Sequence, residues 1–139
     1  MIEYINKSKF IIIAEYLFTI LPMVILISVL LFQYKFTDII YNRDWSFVSI
    51  ILIGQTLLKL NYGLQTVKEK IDSSKSYFFN ALIICFGLIP SVLVYAGLSF
   101  IINPPDYLYY LQLIYVILST VVFFIFGLAG QAFIESKAK

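Results

Sequence analysis

The stretch FIIIAEYLFTILPMVILISVLLF, residues 10–32, decides the fold. It is an unbroken apolar run with a single charged residue, Glu15. About 20 such residues in a helix cross the hydrocarbon core of a bilayer. A cleaved signal peptide would have an apolar part of only ~7–15 residues followed by a small-x-small cleavage site, and neither condition is met. The run therefore reads as an uncleaved transmembrane helix, preceded by Lys7 and Lys9.

Working outward, three more apolar runs follow, over about 46–66, 77–102 and 107–134. Each is long enough to span, and the last two are long enough to tilt or kink. The whole chain of 139 residues is 61% hydrophobic and 13% charged. Ordinary soluble domains are roughly 45–50% apolar and about 25% charged. So small a soluble domain could not hide this much apolar surface. The expectation is one all-α integral membrane domain over 1–139, an up-down bundle of four transmembrane helices.

The connections support this division. Residues 34–46 (YKFTDIIYNRDWS) are polar and aromatic, and suit a short interfacial helix with Phe36, Ile39 and Ile40 toward lipid. Residues 67–76 (VKEKIDSSKS) extend the second helix by a turn, and Asp72 and the serines then offer a break and an N-cap. Asn103-Pro104-Pro105-Asp106 reads as a tight hairpin, because proline ends one helix and suits the start of the next.

Orientation follows from basic residues in short loops. Seven of them (Lys7, Lys9, Lys68, Lys70, Lys75, Lys137, Lys139) fall on the side of both termini, and only Lys35 and Arg43 on the other. This bias predicts N- and C-termini in the cytoplasm of a bacterial inner membrane. Tyr34, Tyr41, Trp45, Tyr107, Tyr109 and Tyr110 supply an outer aromatic belt, and Tyr4, Phe10, Tyr62, Tyr77 and Phe78 an inner one.

Charged side chains inside a span are costly and face protein or water. Glu15 lies about 9 Å beyond Lys9 along the first helix, and Lys59 about 13 Å before Lys68 on the second. Both fall at similar depth in the cytoplasmic half, which predicts a pair or a shared polar network; alternatively Lys59 snorkels to the headgroups. Gln55, Lys59, Tyr62 and Thr66 follow the spacing of one helical face. Such a stripe is either glue between helices or the lining of a pore. Asn80 and Gln131 lie toward the same side and extend the expected polar layer. Pro22 and Pro90 fall near mid-span and predict kinks. Gly87 with Ser91, and Gly127, Ala129 and Gly130, suit close helix contact.

Several chemistries are excluded. The chain has no histidine, which removes Ser-His-Asp and Cys-His catalysis and the commonest metal ligand. There is no HExxH, CxxC, P-loop or GxGxxG motif. Cys85 is the only cysteine and cannot form an internal disulfide. No cofactor, metal site or catalytic residue is expected. The net charge of +2, with scattered basic residues, argues against a nucleic-acid partner. Expected partners are membrane lipid, further copies of the chain, and a cytoplasmic protein reached through Lys68, Lys70 and Lys75.

In size and hydropathy over its whole length the chain resembles four-span membrane subunits of bacterial antiviral systems, and holins. No specific motif carries that likeness. The segment around Glu15, FIIIAEYLFTILP, does not match the motif of small multidrug transporters. Three functional expectations follow. The first is an oligomeric, channel-like or pore-forming effector under a cytoplasmic partner. The second is a non-conducting anchor or assembly subunit. The third is a small proton-coupled transporter using Glu15.

Overall fold

The computed structural model describes residues 2–66 and 73–137, and it is helical throughout its long elements. The chain forms α1 (Ile2–Phe32), α2 (Phe36–Ile40), α3 (Asp44–Thr66), α4 (Ser73–Ile83), α5 (Ile89–Phe100), α6 (Asp106–Val122) and α7 (Leu128–Lys137). A π-helical segment, Ile84–Leu88, joins α4 to α5, and another, Phe123–Gly127, joins α6 to α7. Among the described residues there is no strand. Four helical stretches are long and apolar enough to cross a membrane: Lys7–Phe32, Phe36–Thr66, Tyr77–Phe100 and Asp106–Glu135.

Helix α3 is the hub, packing against α1, α5, α6 and α7. Its span is 39% buried inside the protein, whereas the first is 11% buried. Two clusters of buried residues lie on neighbouring faces of α3. Leu52 and Val48 meet Ile12, Met23 and Phe123 on one face, and Ile53 and Leu60 meet Ile83 on the other. The outer surface is rich in exposed Phe, Leu, Ile and Val, which suits a lipid environment. There, burying apolar surface between helices gains little, so close packing and hydrogen bonds must hold the bundle.

The closest approach is the crossing of α3 and α7. A Cβ on Gly130 would sit 2.5 Å from the Lys59 carbonyl oxygen, and one on Gly63 would sit 2.5 Å from the Gly130 carbonyl oxygen. Two glycines facing each other let the two backbones touch. Gly87 is also buried, and there a Cβ would meet only the mobile tip of Ile53.

The ends of the elements follow local chemistry. Helix α1 closes with Lys35 N–H bonding the Leu30 carbonyl and Tyr34 N–H bonding the Leu31 carbonyl. This hairpin cap needs a left-handed residue, and Tyr34 supplies it at φ 56°. Glycine is the residue that adopts this conformation freely. Tyr34→Gly should therefore raise the melting temperature slightly, by about 1–3 °C; a clear drop in a thermal melt would refute this reading.

The short interfacial helix expected between the first two spans is α2, and Phe36 and Ile40 are exposed on it. The Trp45 indole N–H donates to the Ile39 carbonyl at 2.7 Å. Gln112, fully buried on α6, donates to the Ile40 carbonyl at 3.2 Å and the Asn42 carbonyl at 2.8 Å, and accepts from the Ser46 hydroxyl at 3.2 Å. Removing the amide orphans these groups at a cost of ~1–3 kcal/mol. Gln112→Leu should accordingly loosen residues 33–45 and speed their proteolysis in detergent, with the spans intact. Unchanged cleavage would show that other contacts hold the loop.

Two boundaries differ from the sequence reading. Ile101 takes extended backbone, so the third helical stretch stops at Phe100 and not at 102. Pro105 caps α6 from outside the helix, with Leu108 N–H bonding its carbonyl. Pro22 lies inside an unbroken α1. Pro90 is the second residue of α5, one residue past the first π-helical segment. Proline has no N–H to donate and crowds the carbonyl four residues back, and a widened turn relieves that crowding. The expected prolongation of the second helix through 67–72, with its Asp72 cap, lies outside the described residues, as do Lys68 and Lys70 and the side chain of Lys75.

Candidate functional site

The polar groups of three helices meet in one connected network. Lys59, on α3, donates to Glu15 Oε1 on α1 at 2.9 Å and also lies 2.9 Å from Oε2. The same ammonium donates to Gln131 Oε1 on α7 at 2.7 Å. Gln131 in turn donates through Nε2 to Glu135 Oε1 at 3.2 Å. Glu135 Oε2 accepts from Lys7 at 2.7 Å. The chain of contacts runs Glu15–Lys59–Gln131–Glu135–Lys7 and ties α1, α3 and α7 together.

Each position has a local cause. Gln131 and Glu135 are four apart on α7, so they share a face. The glycine crossing brings the α7 backbone against Lys59 and Leu60, which places Gln131 within reach of the ammonium. Glu15 sits one turn before Thr19, whose hydroxyl donates to the Glu15 carbonyl at 2.9 Å. Gln55 donates to the Thr19 hydroxyl at 3.2 Å and so binds α3 to α1 one turn farther from the termini. Thr66 donates to the Gly63 carbonyl at 2.6 Å and the Phe133 carbonyl at 3.2 Å, closing the α3–α7 contact at the other end.

Burial decides how much this network can stabilise. The Lys59 side chain is 14% exposed and Glu15 is 37% exposed. Neither charge is stranded, because each partially offsets the other's desolvation. The outermost pair differs: Glu135 is only 12% exposed but Lys7 is 65% exposed, so water competes for the ammonium and the bond contributes little. Lys7→Ala should leave the melting temperature within about 2 °C of wild type. A larger fall would mean that the pair is shielded from water.

Glu15, Gln55, Lys59 and Gln131 are thus brought together, in the layer their depth along the helices suggests. Tyr62 and Asn80 are not part of it. Tyr62 is 62% exposed, with its ring directed outward near the end of α3, where an amphipathic aromatic suits an interface. Asn80 lies on the other side of α3 and donates to Asn61 Oδ1 at 2.6 Å. The expected single layer is therefore two separate polar contacts on opposite faces of the hub helix. Glu135 and Lys7 extend the first of them, and the only sequence signal for that extension was the four-residue spacing of Gln131 and Glu135.

Chemically, the site can hold charge and position helices. Among the described residues no group of three or more His, Cys, Asp or Glu side chains could hold a metal. Comparison with protein-family models, curated proteins and solved structures found no match, so its function is read from geometry alone.

Proposed function

We propose that the protein is a non-conducting membrane anchor or assembly subunit, seated in a bacterial inner membrane with both termini in the cytoplasm. The observation that carries this reading is the inward closure of three of the four stripe residues, with Tyr62 facing outward. Gln55, Lys59 and Thr66 spend their hydrogen bonds on Thr19, Glu15, Gln131 and Phe133 within one chain. A pore lined by these groups would need them free to face water or permeating ions. As intramolecular glue they hold three helices in register, which a platform for other proteins requires. Its engagement with a cytoplasmic partner would run through the basic segment around Lys68, Lys70 and Lys75.

One observation favours a second reading, an oligomeric pore or a proton-coupled transporter. Glu15 keeps 37% of its side chain open, on the least buried span. A neighbouring subunit or a proton could reach it there.

Ion flux from liposomes separates the two, with purified wild type, Glu15→Ala and Lys59→Ala compared, alone and with any co-purifying partner. An anchor gives no flux in all three and lower melting temperatures in the variants. Flux from wild type that either substitution abolishes would overturn it in favour of the pore.

A further inference from the structure

The fourth helical stretch buries Ser119, Phe123, Gly127 and Gln131, each four residues after the last. A straight α-helix cannot keep such a line on one face. Each residue turns by about 100°, so every step of four overshoots a full turn by about 40°. Between Ser119 and Gln131 the error grows to about 120°. The π-helical segment Phe123–Gly127 removes it. A π turn takes up one residue more than an α turn, which returns about 100° and leaves Gln131 within roughly 20° of Ser119.

The wide turn is bounded by tight ones. On the near side the Phe123 N–H is shared between the Ser119 and Thr120 carbonyls. On the far side the Leu128 N–H bonds the Ile125 carbonyl, only three residues back. No proline lies in residues 106–135, unlike the first π-helical segment with its neighbouring Pro90, so local sequence does not impose the winding. The contacts at its two ends do. Ser119 and Phe123 are fully buried before and within the turn. Beyond it, Gly130 lies against the Lys59 carbonyl, and Gln131 Oε1 accepts from the Lys59 ammonium at 2.7 Å. Ile125, in the middle of the turn, is 58% exposed.

Relaxing the segment to α winding turns α7 by about 100°. Each inward place on α7 then passes to the preceding residue. Ala129 stands where Gly130 touched α3, Gly130 where Gln131 met the ammonium, and Ile134 where Glu135 met Lys7. A Cβ at the Gly130 place lies 2.5 Å from the Lys59 carbonyl oxygen, so Ala129 does not fit there. In the relaxed winding α7 must come away from α3.

We propose that α7 is a releasable clasp on α3, with Phe123–Gly127 as its hinge and the Lys59–Gln131 bond as its latch. Closed, it has π winding and completes the polar network. Released, it has α winding and leaves Lys59 to Glu15 alone. A protein partner that takes hold of the Lys137 end reaches the charged pair by this route, so the clasp goes beyond the anchor reading and does not depend on it. Single π turns within α-helices are frequent at functional sites.

Hydrogen–deuterium exchange of the full chain in nanodiscs tests this, because exchange reports local opening. Rates over α7 are referred to those over α5, which report on the rest of the bundle. Gln131→Leu cuts the latch and keeps the Glu15–Lys59 pair. It should speed α7 exchange relative to α5 by about tenfold. Deleting Ile125 removes the extra residue, so that α winding and the closed position coincide. The deletion alone should leave α7 protected, and Gln131→Leu in that background should speed its exchange by no more than about twofold. An equal rise in both backgrounds, or no rise in either, would show that the π turn is not a hinge and overturn the proposal. Loss of protection in the deletion variant alone, over α7 or over all the spans, would show that no extra residue is stored there and overturn it as well.

Discussion

Gly130→Leu is expected to destabilise the bundle strongly. A side chain there would drive into the backbone of α3 itself, 2.5 Å from the Lys59 oxygen, 2.6 Å from its carbonyl carbon and 2.8 Å from the Leu60 nitrogen. Unlike the tip of Ile53 opposite Gly87, backbone atoms cannot rotate away. Overpacking in a close-packed interior ordinarily costs ~1–3 kcal/mol, and a backbone clash lies at or above the top of that range. At roughly 2–4 °C per kcal/mol for a chain of this size, the melting temperature should fall by about 10 °C or more. The effect should also reach the polar network, because a displaced α7 carries Gln131 away from Lys59. Thermal unfolding in detergent micelles, with Gly54→Leu as the control, measures this. Gly54 has nothing within 4 Å of a built Cβ, so its substitution should be mild. Equal effects at the two glycines would mean that the crossing is not as close as described.

The second large effect concerns the ion pair. Lys59→Met leaves the Glu15 carboxylate beside an apolar side chain and removes a donor from Gln131. Losing one partner of a fully buried pair costs ~3–5 kcal/mol, and the partial exposure of Glu15 lowers this to about 2–3 kcal/mol. Glu15→Gln alone should cost less, because an amide still accepts from the ammonium. The combination Glu15→Gln with Lys59→Met should recover about 1–2 kcal/mol relative to additivity, since no charge is then unpaired. A double-mutant cycle on equilibrium unfolding reads that number directly. Strict additivity would mean that the two charges are solvated separately, with Lys59 reaching the headgroups on its own stem.

The four helical stretches were legible because runs such as residues 10–32 are long and almost unbroken in their apolar character. The Glu15–Lys59 contact was legible as well, through helical rise alone: counting residues from each flanking lysine puts both at one depth. Lateral arrangement was not legible. In a soluble helix the apolar face points inward, but Leu17 and Phe18 are as apolar as Ile12, and only Ile12 is buried. Where lipid and protein interior are equally apolar, hydropathy stops marking the inward face. Hence nothing in the sequence said that Asn80 would turn toward Asn61 while Gln131 turned toward Lys59. The small residues were the better guide in part: Gly130, in the patch suited to close contact, does touch a neighbouring backbone, but its counterpart Gly63 had not stood out. The role of Gln112, which holds the loop before α3, was not legible, because its partners are backbone carbonyls distant in sequence. The π-helical segment after Phe123 had no comparable signal.

The position of α3 at the hub has a consequence for how the chain is made. Ribosomes deliver the first two helical stretches long before the last two. When α3 first meets α1, its later neighbours α5, α6 and α7 do not yet exist, and its polar groups have only one companion. Glu15 and Thr19 are that companion, so the polar groups of Lys59 and Gln55 can be satisfied within the nascent hairpin before the last helical stretch has emerged from the ribosome. Gln131 arrives last and locks an arrangement already formed. A ribosome-stalled chain long enough for the second span to have cleared the exit tunnel should thus leave the translocon as a paired hairpin when Glu15 is present, and should linger there when it is not.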